Sequence, residues 1–232
     1  MNFFGHAVIA RRHEFAQGRL RPAFILGAML PDFASMLRVR PPLASHPEVS
    51  AGVRFHHLTD DAFHGSESFL EFSRRASTTL GAQGLSRGSA RAVGHVGVEL
   101  LLDAALAREP GANEAYLLAL ESATDDRIAS TIRWETSDSI ERFRHLCHTL
   151  SSRGKIRGDA TAEVFADRLH AILATRPRLA LDDAGHSVVR DWVVTTRPLI
   201  ASEAPSWLRD IERRLENSIG FDSLRDTRPG ER

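Results

Sequence analysis

The sequence PEVSAGVRFHHLTDDAFH, residues 47–64, predicts a helix that carries ionisable side chains on one face. Its proline stands at a position that suits the first turn of a helix, and Gly65 follows its end. Within it, His56, Asp60 and His64 recur every four residues. Each step of four residues turns a helix by about 400°, so the three side chains share one face with a drift of about 40° per step.

The spacing also separates these three residues into a pair and a single residue. Side chains at i and i+4 meet about one helical turn apart and can clamp a single ion. Residues at i and i+8 lie about 12 Å apart along the axis, which is too far to share one ion easily. We therefore predict that His56 and Asp60 act together, and that His64 serves a second metal or the substrate.

The same arrangement recurs in the sequence GHVGVELLLD, residues 94–103, within a helix predicted from Ser89 to Arg108. Here His95, Glu99 and Asp103 fall on one face of an otherwise apolar helix. A single histidine–carboxylate pair at this spacing is more often a surface salt bridge. Two such triplets favour a metal site, because buried charges are costly unless they are paired or bound to metal. Imidazole with carboxylate suits Mn, Fe, Ni, Zn or Mg.

The rest of the chain is also helical in its pattern and shows no sustained period-2 alternation. A helix that begins at Pro22 is predicted to be limited by Pro31, which leaves Asp32 near its end. Two late helices are predicted over 186–200 and 206–215. The expected fold is a single all-α domain over residues 1–220, with a flexible tail over residues 221–232.

Composition excludes several classes of function. The 232 residues include 30 basic and 30 acidic side chains, so no net field attracts nucleic acid. The single cysteine, Cys147, excludes an internal disulfide framework and a zinc site built from cysteines. The most apolar stretch, residues 23–30, is too short to span a membrane. We expect a cytoplasmic protein that binds no nucleic acid and has no membrane span. Four further histidines are predicted to be solvated: His13, His46, His170 and His186.

The chain resembles the acyl-carrier-protein phosphodiesterase family, a branch of the HD-type metal-dependent phosphohydrolases, from residue 1 to about residue 215. Five segments carry the resemblance: MNFFGHA at 1–7, GAMLPDF at 27–33, the stretch 51–60 that contains the histidine and aspartate of the "HD" pair, VELLLD at 98–103, and ATRPRL at 174–179. The four N-terminal motifs are fairly specific when taken together.

The resemblance implies an HD-like helical bundle that cleaves the phosphodiester joining 4′-phosphopantetheine to a serine of acyl carrier protein. It also implies a divalent cation, typically manganese, and a metal-activated water as the nucleophile. The ligands implied by the family motifs are His6, Asp32, His56, Asp60 and Asp103, with Glu99 close by. With the helix-face argument added, the predicted metal ligands are His6, Asp32, His56, Asp60, His95, Glu99 and Asp103. The predicted catalytic residues are His56, Asp60, His64 and His95.

The chain departs from the family pattern near Asp103. Ala104 follows it where the family usually has histidine, and Glu99 stands in place of aspartate. His64 and His95 are additional, and either is able to replace a lost general acid or to bind a second metal. Two alternatives follow from these departures. One is a non-enzymatic helical protein that binds metal or a partner, and the other is a phosphohydrolase that acts on a phospholipid or a nucleotide.

Overall fold

A computed structural model describes the backbone of residues 1–225 and the side chains of residues 1–218. Within this range the protein is built from ten α-helices, which confirms the all-α class predicted from the sequence. The helices are α1 (Phe3–Ala16), α2 (Pro22–Leu37), α3 (Pro47–His64), α4 (Glu67–Ala82), α5 (Arg87–Leu106), α6 (Ala112–Ser122), α7 (Asp126–Ala129), α8 (Ser137–Arg153), α9 (Ala162–Ala174) and α10 (Asp183–Arg225). Two-residue strands, β1 (Leu43–Ala44) and β2 (Ile132–Arg133), pair antiparallel. They are too short to show alternation in the sequence.

Helix α2 lies at the centre of the N-terminal half. It packs against α1, α3, α6 and α8, and every residue from 23 to 30 is buried. Helix α5 is likewise central to a second group of helices, because it packs against α4, α9 and α10. The buried apolar side chains form one continuous core from Met1 to Leu215. This core includes side chains of α3 from Val49 to Phe63 and of α5 from Ala90 to Leu106, so it holds both helices in place.

Helices α2 and α3 approach each other closely enough for their backbones to touch at two glycines. A methyl group added to Gly27 would overlap the carbonyl oxygen of Val49, and one added to Gly52 would overlap that of Phe24. Only residues without a Cβ atom allow this approach. The contact therefore fixes the register of α3 on α2.

The prediction that Pro31 limits the second helix is wrong, because α2 continues through Pro31 to Leu37. An internal proline removes one backbone hydrogen bond and costs about 3 kcal/mol. Leu30 and Phe33, on either side of it, are fully buried. Burial of two such side chains contributes about 1.5–3 kcal/mol each, which offsets the cost. Asp32 consequently lies inside a rigid helix and not at a frayed end.

The two late helices predicted from the sequence are one helix, α10, with Pro198 and Pro205 inside it. Packing again outweighs the proline cost, since Trp207 of this helix is buried. Its ring stacks on Phe63 at 5.3 Å between centroids, and its Nε1 donates a hydrogen bond of 2.8 Å to Ser66 Oγ. This contact holds α10 against the corner between α3 and α4.

The backbone of residues 221–225 continues α10, and the rest of the predicted tail, residues 226–232, lies outside the described residues. None of the described helices is both long and apolar enough to cross a membrane. The HD-like arrangement of the bundle stays a prediction from the resemblance.

Replacement of Gly27 or Gly52 by alanine is expected to destabilise the protein by about 1–3 kcal/mol or more, because α2 and α3 must move apart. Urea unfolding followed by circular dichroism measures the change. Gly81 lies inside α4 with open space around it, so Gly81→Ala is the matched control. We expect the control to stabilise the protein by about 0.5–1 kcal/mol. Equal stability of Gly27→Ala and wild type would show that the close contact does not exist.

Candidate metal centre

Four helical side chains from three helices meet at one point. We name the group of His6, Asp32, His56 and Asp60 the inner cluster. The His6 Nε2 atom lies 3.5 Å from Asp60 Oδ1 and 3.9 Å from Asp32 Oδ2. The rings of His6 and His56 lie 3.9 Å apart between centroids. The donor atoms of His6, His56 and Asp60 all lie within 4.8 Å of one another, which is close enough for one ion.

Hydrogen bonds fix the tautomers of both histidines of the inner cluster. His56 Nδ1 contacts the Ala28 carbonyl oxygen at 2.8 Å, and a carbonyl oxygen only accepts, so this nitrogen carries the hydrogen. Thr59 Oγ1 donates its one hydrogen to the His56 carbonyl oxygen and therefore accepts from His6 Nδ1 at 2.7 Å. In both neutral rings the lone pair consequently lies on Nε2. Histidines that bind metal are commonly held by a hydrogen bond from the other ring nitrogen in this way.

The Nε2 lone pair of His6 faces the ionised carboxylate of Asp60 and the carboxyl group of Asp32, which is mostly protonated at pH 7 when no ion is bound. His6 Nε2 and Asp32 Oδ2 are buried and have no hydrogen-bond partner among the described residues. Burial lowers the pKa of His6 to about 3 and that of His56 to about 4, so both rings are neutral at pH 7. Burial also raises the pKa of Asp32 to about 8. A cation would relieve the unfavourable contact between lone pair and carboxylate, and neutral imidazole is the form that binds metal.

Asp60 lies where the inner cluster opens towards solvent, since 39% of its side chain is exposed. Burial by itself would raise the pKa of Asp60, but the neighbouring His64 and the Met1 amino group hold it well below its usual range. That amino group lies 2.8 Å from Asp60 Oδ1 and 3.3 Å from Glu99 Oε1. This position therefore attracts positive charge.

A second group of donors adjoins the first. We name His64, His95 and Glu99 the outer cluster. Glu99 Oε1 lies 3.4 Å from His64 Nε2 and 3.3 Å from His95 Nε2. His64 Nδ1 lies 3.3 Å from Asp60 Oδ1, so the two clusters share an edge at Asp60.

The outer cluster is more exposed and more strongly paired than the inner cluster. Half of the His95 side chain is exposed, but only 13% of Glu99 is. Burial would lower the pKa of His64, but Asp60 and Glu99 raise it to about 9. Burial would likewise raise the pKa of Glu99, but His64 and His95 hold it well below its usual range.

The structure divides both triplets predicted from the sequence. His56 and Asp60 belong to the inner cluster, and His64 belongs to the outer cluster with His95 and Glu99. Asp103 joins neither cluster, since its Oδ2 accepts a hydrogen bond of 2.8 Å from Asn2 Nδ2.

Asp103 is almost fully buried, and its Oδ1 has no hydrogen-bond partner among the described residues. Burial raises its pKa to about 7. The adjacent His57 is exposed and belongs to neither cluster.

Sequence reasoning did not find the groups that orient the histidines. Thr59 is a hydroxyl-bearing residue between two predicted ligands, and its proximity to His6 appears only in the fold. Nothing in the sequence indicates that the Ala28 carbonyl oxygen accepts a hydrogen bond from His56.

The structure also corrects the prediction that four histidines are solvated, because His13, His46, His170 and His186 are each partly buried. His186 Nε2 lies 2.9 Å from Asp167 Oδ1, and Glu163 adjoins them to complete a third group of possible ligands. The spacing of Glu163 and Asp167, four residues apart, was the available signal.

Comparisons of the chain with protein-family models, with curated proteins and with solved structures find no match.

Replacement of Thr59 by valine removes the acceptor for His6 Nδ1 and keeps the shape of the side chain. A buried N–H group without a partner costs about 1–3 kcal/mol, so we expect that loss of stability in urea unfolding with EDTA present. Thr78→Val is the matched control, because Thr78 is exposed on α4 and bonds only to its own helix. A Thr59→Val variant as stable as the control would contradict the assigned tautomer of His6.

Proposed function

We propose that the protein is a divalent-metal-dependent phosphodiester hydrolase whose metal binds at the inner cluster. The observation that carries the proposal is the pair of buried atoms without a hydrogen-bond partner among the described residues, His6 Nε2 and Asp32 Oδ2, beside the carboxylate of Asp60. Native proteins rarely leave such atoms without a partner. The reaction class rests on the resemblance to the acyl-carrier-protein phosphodiesterase family.

The inner cluster supplies two imidazole nitrogens and two carboxylates. This donor set suits Mn, Fe, Ni or Zn, whereas Mg prefers oxygen ligands alone. The resemblance makes manganese the first choice. A bound divalent cation would stabilise negative charge on the phosphoryl oxygens and lower the pKa of a coordinated water.

The protein's own residues would orient the metal ligands and leave one side open to the substrate. His6 and His56 present Nε2 in fixed tautomers, because Thr59 and the Ala28 carbonyl oxygen hold the opposite nitrogens. Asp60 lies on the solvent side, so a phosphodiester would approach the cluster from there. The other ligands lie on helices that the core holds rigid, which is the preorganisation that catalysis requires.

The substrate that the resemblance favours is holo acyl carrier protein, which would place the protein in the cytoplasm. One surface supports an acidic partner of this kind. Arg87 and Arg91 precede His95 at intervals of four residues on the exposed face of α5. They also line a cavity of ≈ 390 Å³ between α4 and α5. Neither guanidinium forms an ion pair with a described side chain, so both are free to meet carboxylates or phosphate.

The test of the hydrolase is metal content and activity measured on the same preparations. His56→Ala and Asp60→Asn, singly and together, are expected to lose the inner metal. Hydrolysis of bis-p-nitrophenyl phosphate and of holo acyl carrier protein should fall by at least about 10³-fold, because metal catalysis contributes several kcal/mol. Elemental analysis after reconstitution with Mn checks the first result, and product release checks the second.

Matched controls lie next to both residues in the same helix. His57→Ala and Asp61→Asn change exposed side chains and should keep both metal and activity. Retained hydrolysis in the double variant would refute the proposal. Metal binding without hydrolysis of any diester would favour the alternative of a non-enzymatic metal-binding protein.

The arginine surface yields a separate prediction. Arg87→Glu combined with Arg91→Glu is expected to raise KM for holo acyl carrier protein about tenfold, because an acidic partner loses its electrostatic attraction. Hydrolysis of the small diester should not change. Arg144→Glu with Arg153→Glu on α8 gives the same change in net charge at a distant exposed surface. An equal rise of KM in this control would contradict a specific docking surface on α5.

A further inference from the structure

We infer that the outer cluster, formed by His64 at the end of α3 and by His95 and Glu99 on α5, binds a second divalent cation. His64 and His95 lie outside the family motifs that implied the inner ligands, and Glu99 lies within the motif VELLLD at 98–103. The inference goes beyond the proposed function, since it concerns metal content and does not require hydrolysis.

The distances in the outer cluster match those between ligands of one ion. Ligand atoms about 2.0–2.2 Å from a tetrahedral metal ion lie about 3.4 Å from one another. Glu99 Oε1 lies 3.4 Å from His64 Nε2 and 3.3 Å from His95 Nε2. The donors therefore already have the spacing that a bound ion would impose.

The rings are also held in the orientation that ligation requires. His64 Nδ1 donates a hydrogen bond of 3.0 Å to the Asp60 carbonyl oxygen, which directs Nε2 towards Glu99. That Nε2 atom is buried without a hydrogen-bond partner among the described residues. The rings of His64 and His95 stack with an interplanar angle of 13° and a centroid distance of 5.1 Å. The ring of the buried Phe69 contacts both imidazoles edge-on and restrains them; its centroid lies 4.8 Å from that of His64 and 5.1 Å from that of His95.

Simple ion pairing explains this arrangement less well. A single oxygen, Glu99 Oε1, faces the Nε2 atoms of both imidazoles and the Met1 amino group. The two imidazoles thus converge on one oxygen atom, and one divalent ion would accept both nitrogens and that oxygen as ligands. Asp60 at the shared edge supplies the additional negative charge that a second ion beside the first requires.

Metal stoichiometry tests the inference. The wild-type protein, stripped with EDTA and reconstituted with Mn or Zn, is expected to hold about two equivalents after desalting. Glu99→Gln and His95→Ala should each hold about one equivalent, and His56→Ala should also hold about one. Glu99→Gln changes one atom and His95 is half exposed, so neither variant should unfold. Circular dichroism checks the fold of each variant.

His148→Ala removes an exposed histidine of α8 and should keep both equivalents. One equivalent in wild type that is lost in His56→Ala but kept in Glu99→Gln would overturn the inference and leave the proposed hydrolase intact. Two equivalents, reduced to one by Glu99→Gln, would support the inference even if no diester is hydrolysed. Two equivalents in both Glu99→Gln and His95→Ala would overturn it, since the second ion would then bind elsewhere.

Discussion

The backbone contact between Gly27 of α2 and Gly52 of α3 is the constraint on which the candidate metal centre depends. It sets the position of α3 along and around α2, and therefore where His56 lies relative to the Ala28 carbonyl oxygen. Asp32, one turn further along α2, is placed by the same register. A displacement of α3 by one residue would rotate its side chains by about 100° and separate the ligands. Thus two glycines determine how His56 and Asp32 are placed relative to each other.

The inner cluster shows how a helical core accommodates polar groups. Each histidine satisfies Nδ1 within the protein, and His6 Nε2 is buried without a hydrogen-bond partner among the described residues. A helix supplies few free backbone acceptors, because its carbonyl groups already bond within the helix. The fold therefore uses a threonine hydroxyl for His6 and a carbonyl oxygen close to Pro31 for His56. The internal proline, which removes a backbone donor from α2, lies in the same part of the helix as that acceptor.

The sequence predicted the fold class and most of the residues that the structure brings together, because a four-residue spacing places side chains on one helix face whatever the tertiary structure. It did not predict that α2 continues past Pro31 or that α10 continues through Pro205. Those outcomes depend on burial of neighbouring side chains, which a local pattern does not contain. The spacing also placed Asp103 on the face of Glu99. In the fold, Asn2 binds that carboxylate instead, and contacts between residues so distant in the sequence follow from helix packing alone.

The contact between Trp207 and Phe63 has a consequence for how the centre forms. Phe63 directly precedes His64, so α10 holds the corner of the chain from which one ligand projects. All the residues of both clusters are synthesised long before Trp207, yet a nascent chain without α10 lacks the packing that holds this corner in place. Binding of the proposed ions and docking of the last helix would therefore be thermodynamically linked, since each would stabilise the state that the other requires. If both proposed sites bind ions, such a chain would complete its metal binding only after its last helix has packed.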